Sequence, residues 1–183
     1  MIQDVLSVRE LQKEDIELIA EYWSNADTCH LQSMGCDETK IPKKEEFKTS
    51  LNTQLNLPVK EKESYAIIWL LNEKPIGHCN VNTITYGKEA YMHLHIWNSN
   101  FRKKGIGVEL VKKSLPYFFK NLKLSVIYCE PFTENKAPNK TVEKVGFEFV
   151  KEYETVPGAI CLNQSVNRWK LTRQKAEYLH LIK

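Results

Sequence analysis

Apolar positions along this chain recur with two different periods, and each change of period marks an element. Residues 4–10 alternate and predict a first strand, after which "KEDIELIAEYWS" puts Ile16, Ile19, Ala20 and Trp23 on one side of a helix. Residues 25–63 are polar and carry little pattern, apart from "PKKEEFKTSLNTQL", where Phe47, Leu51 and Leu55 share a helical side. Three strand-like runs follow, "SYAIIWLLN", "KPIGHCNVNTITY" and "EAYMHLHIWN". Turns at Asn72–Pro75 and at Gly87 separate them, and such short connections predict antiparallel neighbours.

Beyond residue 100 the pattern becomes helical again. Ile106, Leu110, Val111, Leu115, Phe118 and Leu122 form an apolar stripe that Pro116 is expected to kink or to end early. "LSVIYCEPF" is apolar enough for a buried strand, reached from the third run by a parallel crossover. "NKAPNKTVEKVGFEFVKEYE" predicts a short helix stopped at Gly146 and then a strand, and "SVNRWKLTR" a last strand. This order predicts one mixed α/β domain over residues 1–183, a central, mostly antiparallel sheet flanked by helices.

Composition narrows the class. With 42% apolar and 27% charged residues the chain is globular rather than disordered. A net charge of +3, with lysines scattered among acids, argues against nucleic acid as a partner. The five cysteines, Cys29, Cys36, Cys79, Cys129 and Cys161, form no C-x-x-C pair, and their odd number suits reduced thiols better than a disulfide framework. No basic-then-apolar leader and no membrane-length run is evident, so a cytoplasmic protein without membrane contact is expected.

One stretch carries more specific chemistry. In "NFRKKGIGVEL", Arg102, Lys103 and Lys104 stand directly before Gly105 and Gly107 at the start of a helix. A helix N-terminus offers unpaired N–H groups and partial positive charge, glycine admits a close ligand, and cations add attraction for an anion. A basic loop that merely precedes a helix is the plainer alternative. A dinucleotide fingerprint would need a third glycine where Leu110 stands, and a phosphate-binding P-loop would need Gly-Lys followed by Ser or Thr, which is missing.

What remains, Arg-x-x-Gly-x-Gly between strand and helix, resembles the acetyl-CoA signature of the GNAT superfamily of N-acetyltransferases. "ENKAPNKTVEKVGFEFV" is similar to the Asn-x-x-Ser/Pro-Asn-x-x-x-Glu-Lys-x-Gly-Phe stretch of its ribosomal-protein N-terminal branch (RimJ/RimL-like). The resemblance covers the whole chain loosely and residues 64–172 well. It implies a sheet splayed at the acyl-CoA site, with Arg102, Lys103, Lys104, Gly105, Ile106, Gly107 and Val108 around the pyrophosphate. It also implies pairing of the pantetheine arm near Ile96 and Trp97, and cofactor contacts from Asn135 and Asn139. The tyrosine that many relatives place four residues before Gly-Phe is Val142 here, so the resemblance supplies no acid for the leaving thiolate.

Strand alternation proposes the reacting side chains. Tyr91, His93, His95 and Trp97 share one face of the third run, and His78, Asn80 and Asn82 share one face of the second. If the strands pair, three imidazoles and two amides lie together, an odd choice for a core face. They are either ordinary buried, hydrogen-bonded residues or an acceptor-binding and proton-transfer surface, since imidazole titrates near pH ~6.5. His95 is the preferred base and His93 the second; His78 and Asn80 are candidate substrate contacts. His93-x-His95 alone is a poor metal site without a supporting Cys, Asp or Glu, so no metal is expected. Glu130, at the C-terminal end of its strand, is a candidate ammonium ligand or base. The expected reaction is direct transfer of acetyl from acetyl-CoA to a primary amine, of a small molecule or a protein N-terminus, by a monomer or homodimer. A catalytically silent acyl-CoA-binding module of the same fold is the alternative.

Overall fold

The computed structural model describes residues 4–102 and 105–183; Lys103 and Lys104 lie outside the described residues. Seven strands, β1 (Leu6–Glu10), β2 (Ser64–Leu71), β3 (Lys74–Thr85), β4 (Glu89–Ile96), β5 (Val126–Cys129), β6 (Glu148–Thr155) and β7 (Gln164–Thr172), form one sheet in the order β1-β2-β3-β4-β5-β7-β6. Every pairing is antiparallel except β4 with β5. The helices are α1 (Asp15–Ser24), α2 (Thr28–Ser33), α3 (Lys44–Asn56), α4 (Ile106–Asn121), α5 (Lys136–Val145) and α6 (Arg173–Tyr178). This is the single α/β domain that the alternating runs predict. Helices α2 and α6 were not legible in them.

Both faces of the sheet are covered at its centre, which is why β2 reads as an unbroken apolar run. Ile67 and Trp69 face a core built with Leu110, Val111, Leu115 and Phe118 of α4, while Ile68 and Leu70 face Ile19 and Trp23 of α1. A polar pair within the first core is satisfied: the Trp69 indole donates to Ser114 Oγ at 2.9 Å, and Ser114 donates to the Leu110 carbonyl at 2.8 Å.

Helix α4 does not end at Pro116 but runs on to Asn121. A proline forfeits one ladder bond, yet Leu115, Phe118 and Phe119 around it are fully buried. Burial of three such side chains, at about 1.5–3 kcal/mol each, outweighs it.

The feature that positions the site is a short pairing. β4 and β5 share only the pairs Glu89–Val126, Ala90–Ile127 and Tyr91–Tyr128, after which β4 continues to Ile96 without β5 beside it. The sheet is thus splayed where the resemblance placed the splay. On the other edge of β4 the Trp97 N–H bonds the Ile76 carbonyl at 2.9 Å. Backbone alternation then turns the N–H and C=O groups of Leu94 and Ile96 toward the gap.

Candidate active site

At the mouth of the gap stands the head of α4. Gly105 is its N-cap with φ 77°, a left-handed conformation that suits glycine, and the space a Cβ would take there holds nothing within 4 Å. At Gly107 a Cβ would meet only the Thr141 side chain, at 3.8 Å. The N–H of Val108 turns back to the Gly105 carbonyl at 3.2 Å, so the N–H groups of Ile106 and Gly107 are the first that helix geometry leaves free. Arg102 does not extend outward: its guanidinium donates to the Ile96 carbonyl at 2.9 and 3.1 Å and lies within 3.3 Å of both His30 ring nitrogens. It braces the end of β4 against α2.

Behind the gap lies a cavity of about 430 Å³. Its wall includes Met92, Leu94 and Cys129 together with His78, Asn80, Asn82, His93, His95 and Glu130. Met92 and Cys129 belong to the α4-side core, whereas the imidazoles and amides point to the opposite face. The cavity therefore lies on the histidine face and reaches the strands at the splay, and among the described residues none of α4 lines it.

The predicted polar face is assembled in register, with His78 opposite His95, Asn80 opposite His93 and Asn82 opposite Tyr91. His78 and His95 stack at 4.7 Å, and the Trp97 indole donates to His78 Nδ1 at 2.8 Å, which leaves the proton of His78 on Nε2. His93 Nε2 donates to Asn82 Oδ1 at 3.1 Å. His95 Nδ1 lies 3.3 Å from the Tyr22 hydroxyl, which in turn lies 2.9 Å from Nε2 of half-buried His30. Burial holds all three strand histidines neutral: it lowers His78 to about 3, His93 to about 4 and His95 well below its ordinary value.

Glu130 and Asn139 are already engaged. Glu130 pairs closely with Arg168 Nε and accepts from the Tyr153 hydroxyl at 2.5 Å, and Arg168 lies over the rings of Tyr91, Tyr128 and Tyr153. Asn139 donates to the carbonyls of Phe132 and Asn135, and its oxygen accepts from Asn167 and the Trp169 indole at 3.0 and 2.9 Å. All four hydrogen-bonding positions of that amide are filled inside the protein, so it shapes the loop before α5. Asn135 begins α5 without a side-chain cap bond and lines the cavity. Val142, in the family's tyrosine position, is fully buried.

Tyr22, His30, Tyr153 and Arg168 escaped the sequence reading. Period two in "SVNRWKLTR" places Arg168 opposite Trp169 but not beside Glu130, and His30 falls in the polar stretch that carries no pattern. Among the described residues no cluster of three or more metal-ligating side chains occurs, and no helix is long and apolar enough to cross a membrane.

The sheet is thus pried open beside a glycine-opened helix N-terminus, with a cavity reaching the opening from the histidine face. The sequence model described as Acetyltransferase (GNAT) domain matches residues 6–148, and the chain belongs to that family. No curated protein matches it significantly in sequence. Its fold is similar to RimL, the ribosomal L7/L12 alpha-N-protein acetyltransferase in complex with coenzyme A (TM-score 0.76, 12% identity, 96% of this chain and 98% of that one). It is also similar to spermidine N-acetyltransferase from Vibrio cholerae with CoA and spermine (0.74, 19%, 93% and 96%). Aminoglycoside acetyltransferase AAC(6')-Ib with coenzyme A and kanamycin is another such relative (0.73, 17%, 96% and 99%).

Proposed function

We propose that this chain is an acetyl-CoA-dependent N-acetyltransferase that passes the acetyl group directly to a primary amine in a ternary complex. The observation that carries the reading is the splay between β4 and β5, which has the glycine turn at the head of α4 on one side and, reaching Leu94 and Cys129, the cavity of the histidine-lined face on the other. The open space at Gly105 and Gly107 fits a diphosphate against the backbone, and the solved structures of similar fold hold coenzyme A.

Acetyl-CoA supplies the acyl group as a thioester. The chain's own residues do the rest. The turn at Gly105, with the free N–H groups of Ile106 and Gly107, offers the diphosphate site, with Lys103 and Lys104 adding charge by their place in the sequence. The gap-facing N–H and carbonyl of Leu94 and the N–H of Ile96 offer strand-like pairing for an extended arm, beside Trp97, whose own N–H is bonded to Ile76. Asn135 borders the point where gap meets cavity.

His95 is the proposed base. Its Nε2 has no protein partner among the described residues and faces the cavity, so a neutral imidazole stands ready to take the amine's proton. Being weakly basic, it holds that proton briefly, and its Nδ1 lies beside the Tyr22 hydroxyl, which can take up or pass on a hydrogen bond as the ring changes charge. His93 is the second candidate. Glu130, tied to Arg168 and Tyr153, is not a free base, and Asn80 and His78 line the cavity as candidate acceptor contacts.

The cavity also speaks to the acceptor. Its described lining holds no lysine or arginine and one carboxylate, Glu130, which is already neutralised by Arg168. Ile19, Trp23, Phe47, Leu51 and Phe132 make up much of the remainder. A polycation would enter without counter-charges, so the acceptor is an amine of single charge on an apolar body, such as a protein N-terminus or a small monoamine. Thiol release from acetyl-CoA, measured across peptide N-termini, aryl-alkyl monoamines, spermine and kanamycin, tests this. Monoamines should be turned over preferentially, and a preference for spermine would overturn the acceptor class. The buried Val142 favours the silent module as second reading, and coenzyme A binding without thiol release from any amine would support it. His95→Gln should cut turnover by about 10²–10⁴-fold with coenzyme A affinity unchanged; near-normal turnover would remove His95 as the base.

A further inference from the structure

Two cysteines far apart in sequence meet at the wall of this cavity. Cys36 and Cys161 form an isolated antiparallel bridge between the turn after α2 and the loop joining β6 to β7. The flanking hydrogen bonds fix its type: the Asp37 N–H bonds the Ile160 carbonyl at 2.8 Å, and the Leu162 N–H bonds the Gly35 carbonyl at 3.0 Å. The cysteines between them are consequently a non-hydrogen-bonded pair, whose Cα atoms stand about 4.5 Å apart with side chains on the same side. That spacing lies within the roughly 4.4–6.8 Å that disulfides span. Both thiols are free, and both residues line the cavity. The other three lack such an arrangement: Cys79 and Cys129 are buried in the α4-side core, and Cys29 is exposed.

We propose that Cys36 and Cys161 are a disulfide site, oxidised reversibly by a small-molecule disulfide, which staples the α2 side of the acceptor cavity to the β6–β7 loop. The adjacent Cys36 thiol, together with Lys40, whose ammonium reaches the Cys161 carbonyl at 3.3 Å, lowers the Cys161 thiol below its ordinary value and makes it the first nucleophile. Its thiolate attacks one sulfur of oxidised glutathione, forming a mixed disulfide and expelling one glutathione thiolate. Cys36, giving up its proton, then attacks the Cys161 sulfur and expels the second. Two protein thiols are oxidised, one glutathione disulfide is reduced, and the two protons pass to the released glutathione. The bond is independent of the acetyl-transfer reading; only its effect on the acceptor rests on that reading.

The test uses the full chain with Cys29→Ser, equilibrated in glutathione buffers of rising oxidised fraction, quenched with acid, alkylated and mapped by mass spectrometry. Alkylatable thiols should fall from four to two, with one peptide pair joining Cys36 to Cys161, and should return with dithiothreitol. The oxidised form should melt at a higher temperature than the reduced one, and Cys161→Ser should abolish both changes. Retention of all four thiols across the series, or stable glutathione adducts without the intramolecular link, overturns the proposal. Oxidation should also change the acceptor KM several-fold and leave coenzyme A affinity alone. If the link forms and KM is unmoved, the cavity-staple part fails. If the link forms and no amine is acetylated in either state, the acetyl-transfer reading fails and the disulfide site stands.

Discussion

Gly107 and Gly105 look alike in the motif but are required for different reasons. Gly105 needs glycine for its backbone, at φ 77°, so a substitution there strains the fold whatever the ligand does. Gly107 has no positive φ, and a Cβ would make only ordinary contact with Thr141 at 3.8 Å. Gly107→Ala should leave the melting temperature within a degree or so, because nothing in the protein is displaced. It should nonetheless weaken coenzyme A by about tenfold or more, as the methyl stands between backbone and diphosphate. Calorimetry with thermal unfolding separates the two effects, and an unchanged affinity would take the diphosphate away from this turn. Residue types could be read from the sequence at such positions, but roles could not. Arg102 reads as a phosphate cation and is found holding the Ile96 carbonyl, and Asn139 reads as a cofactor contact and is found with every hydrogen bond filled.

Elements were more legible than their partners. Period two in β3 and β4 set His78, Asn80 and Asn82 against Tyr91, His93 and His95, since short turns leave little choice of neighbour. The Glu130–Arg168 pair was not legible, because β5 and β7 are joined through α5 and β6 and nothing local specifies their register. That pair is a clamp between elements. The Glu130 side chain is 7% exposed, Arg168 25%, and Tyr153 of β6 completes the arrangement. Glu130→Gln removes the charge while keeping the shape, which leaves Arg168 over three tyrosines without its counter-ion. A loss of about 1.5–3 kcal/mol is expected, toward the lower end because Arg168 reaches solvent. The urea midpoint measures it. Lost turnover with an unmoved midpoint would instead make Glu130 a participant in the chemistry.

For the whole molecule, the histidine face links function to acid stability. In the fold His78 is lowered to about 3, His93 to about 4 and His95 well below its ordinary value, whereas the unfolded chain protonates each near pH ~6.5. Glu130 pulls His93 the other way, but burial is the larger effect. The sign follows from proton uptake: below pH ~6.5 the unfolded state binds protons that the folded state refuses. The stability these histidines contribute is therefore complete above pH ~6.5 and declines as pH falls toward about 4, where His93 begins to protonate in the fold. Each neutral histidine adds a slope of about 1.4 kcal/mol per pH unit in that window. Urea unfolding at steps between pH 7 and 4.5 should show this decline, with carboxylates adding to it only at the acid end. His93→Gln should reduce the slope by one histidine's share while leaving the carboxylate contribution in place. A stability flat from pH 7 to 5.5 would mean that these imidazoles protonate within the fold. In that case His95 could not be the neutral acceptor on which the proposed proton transfer depends.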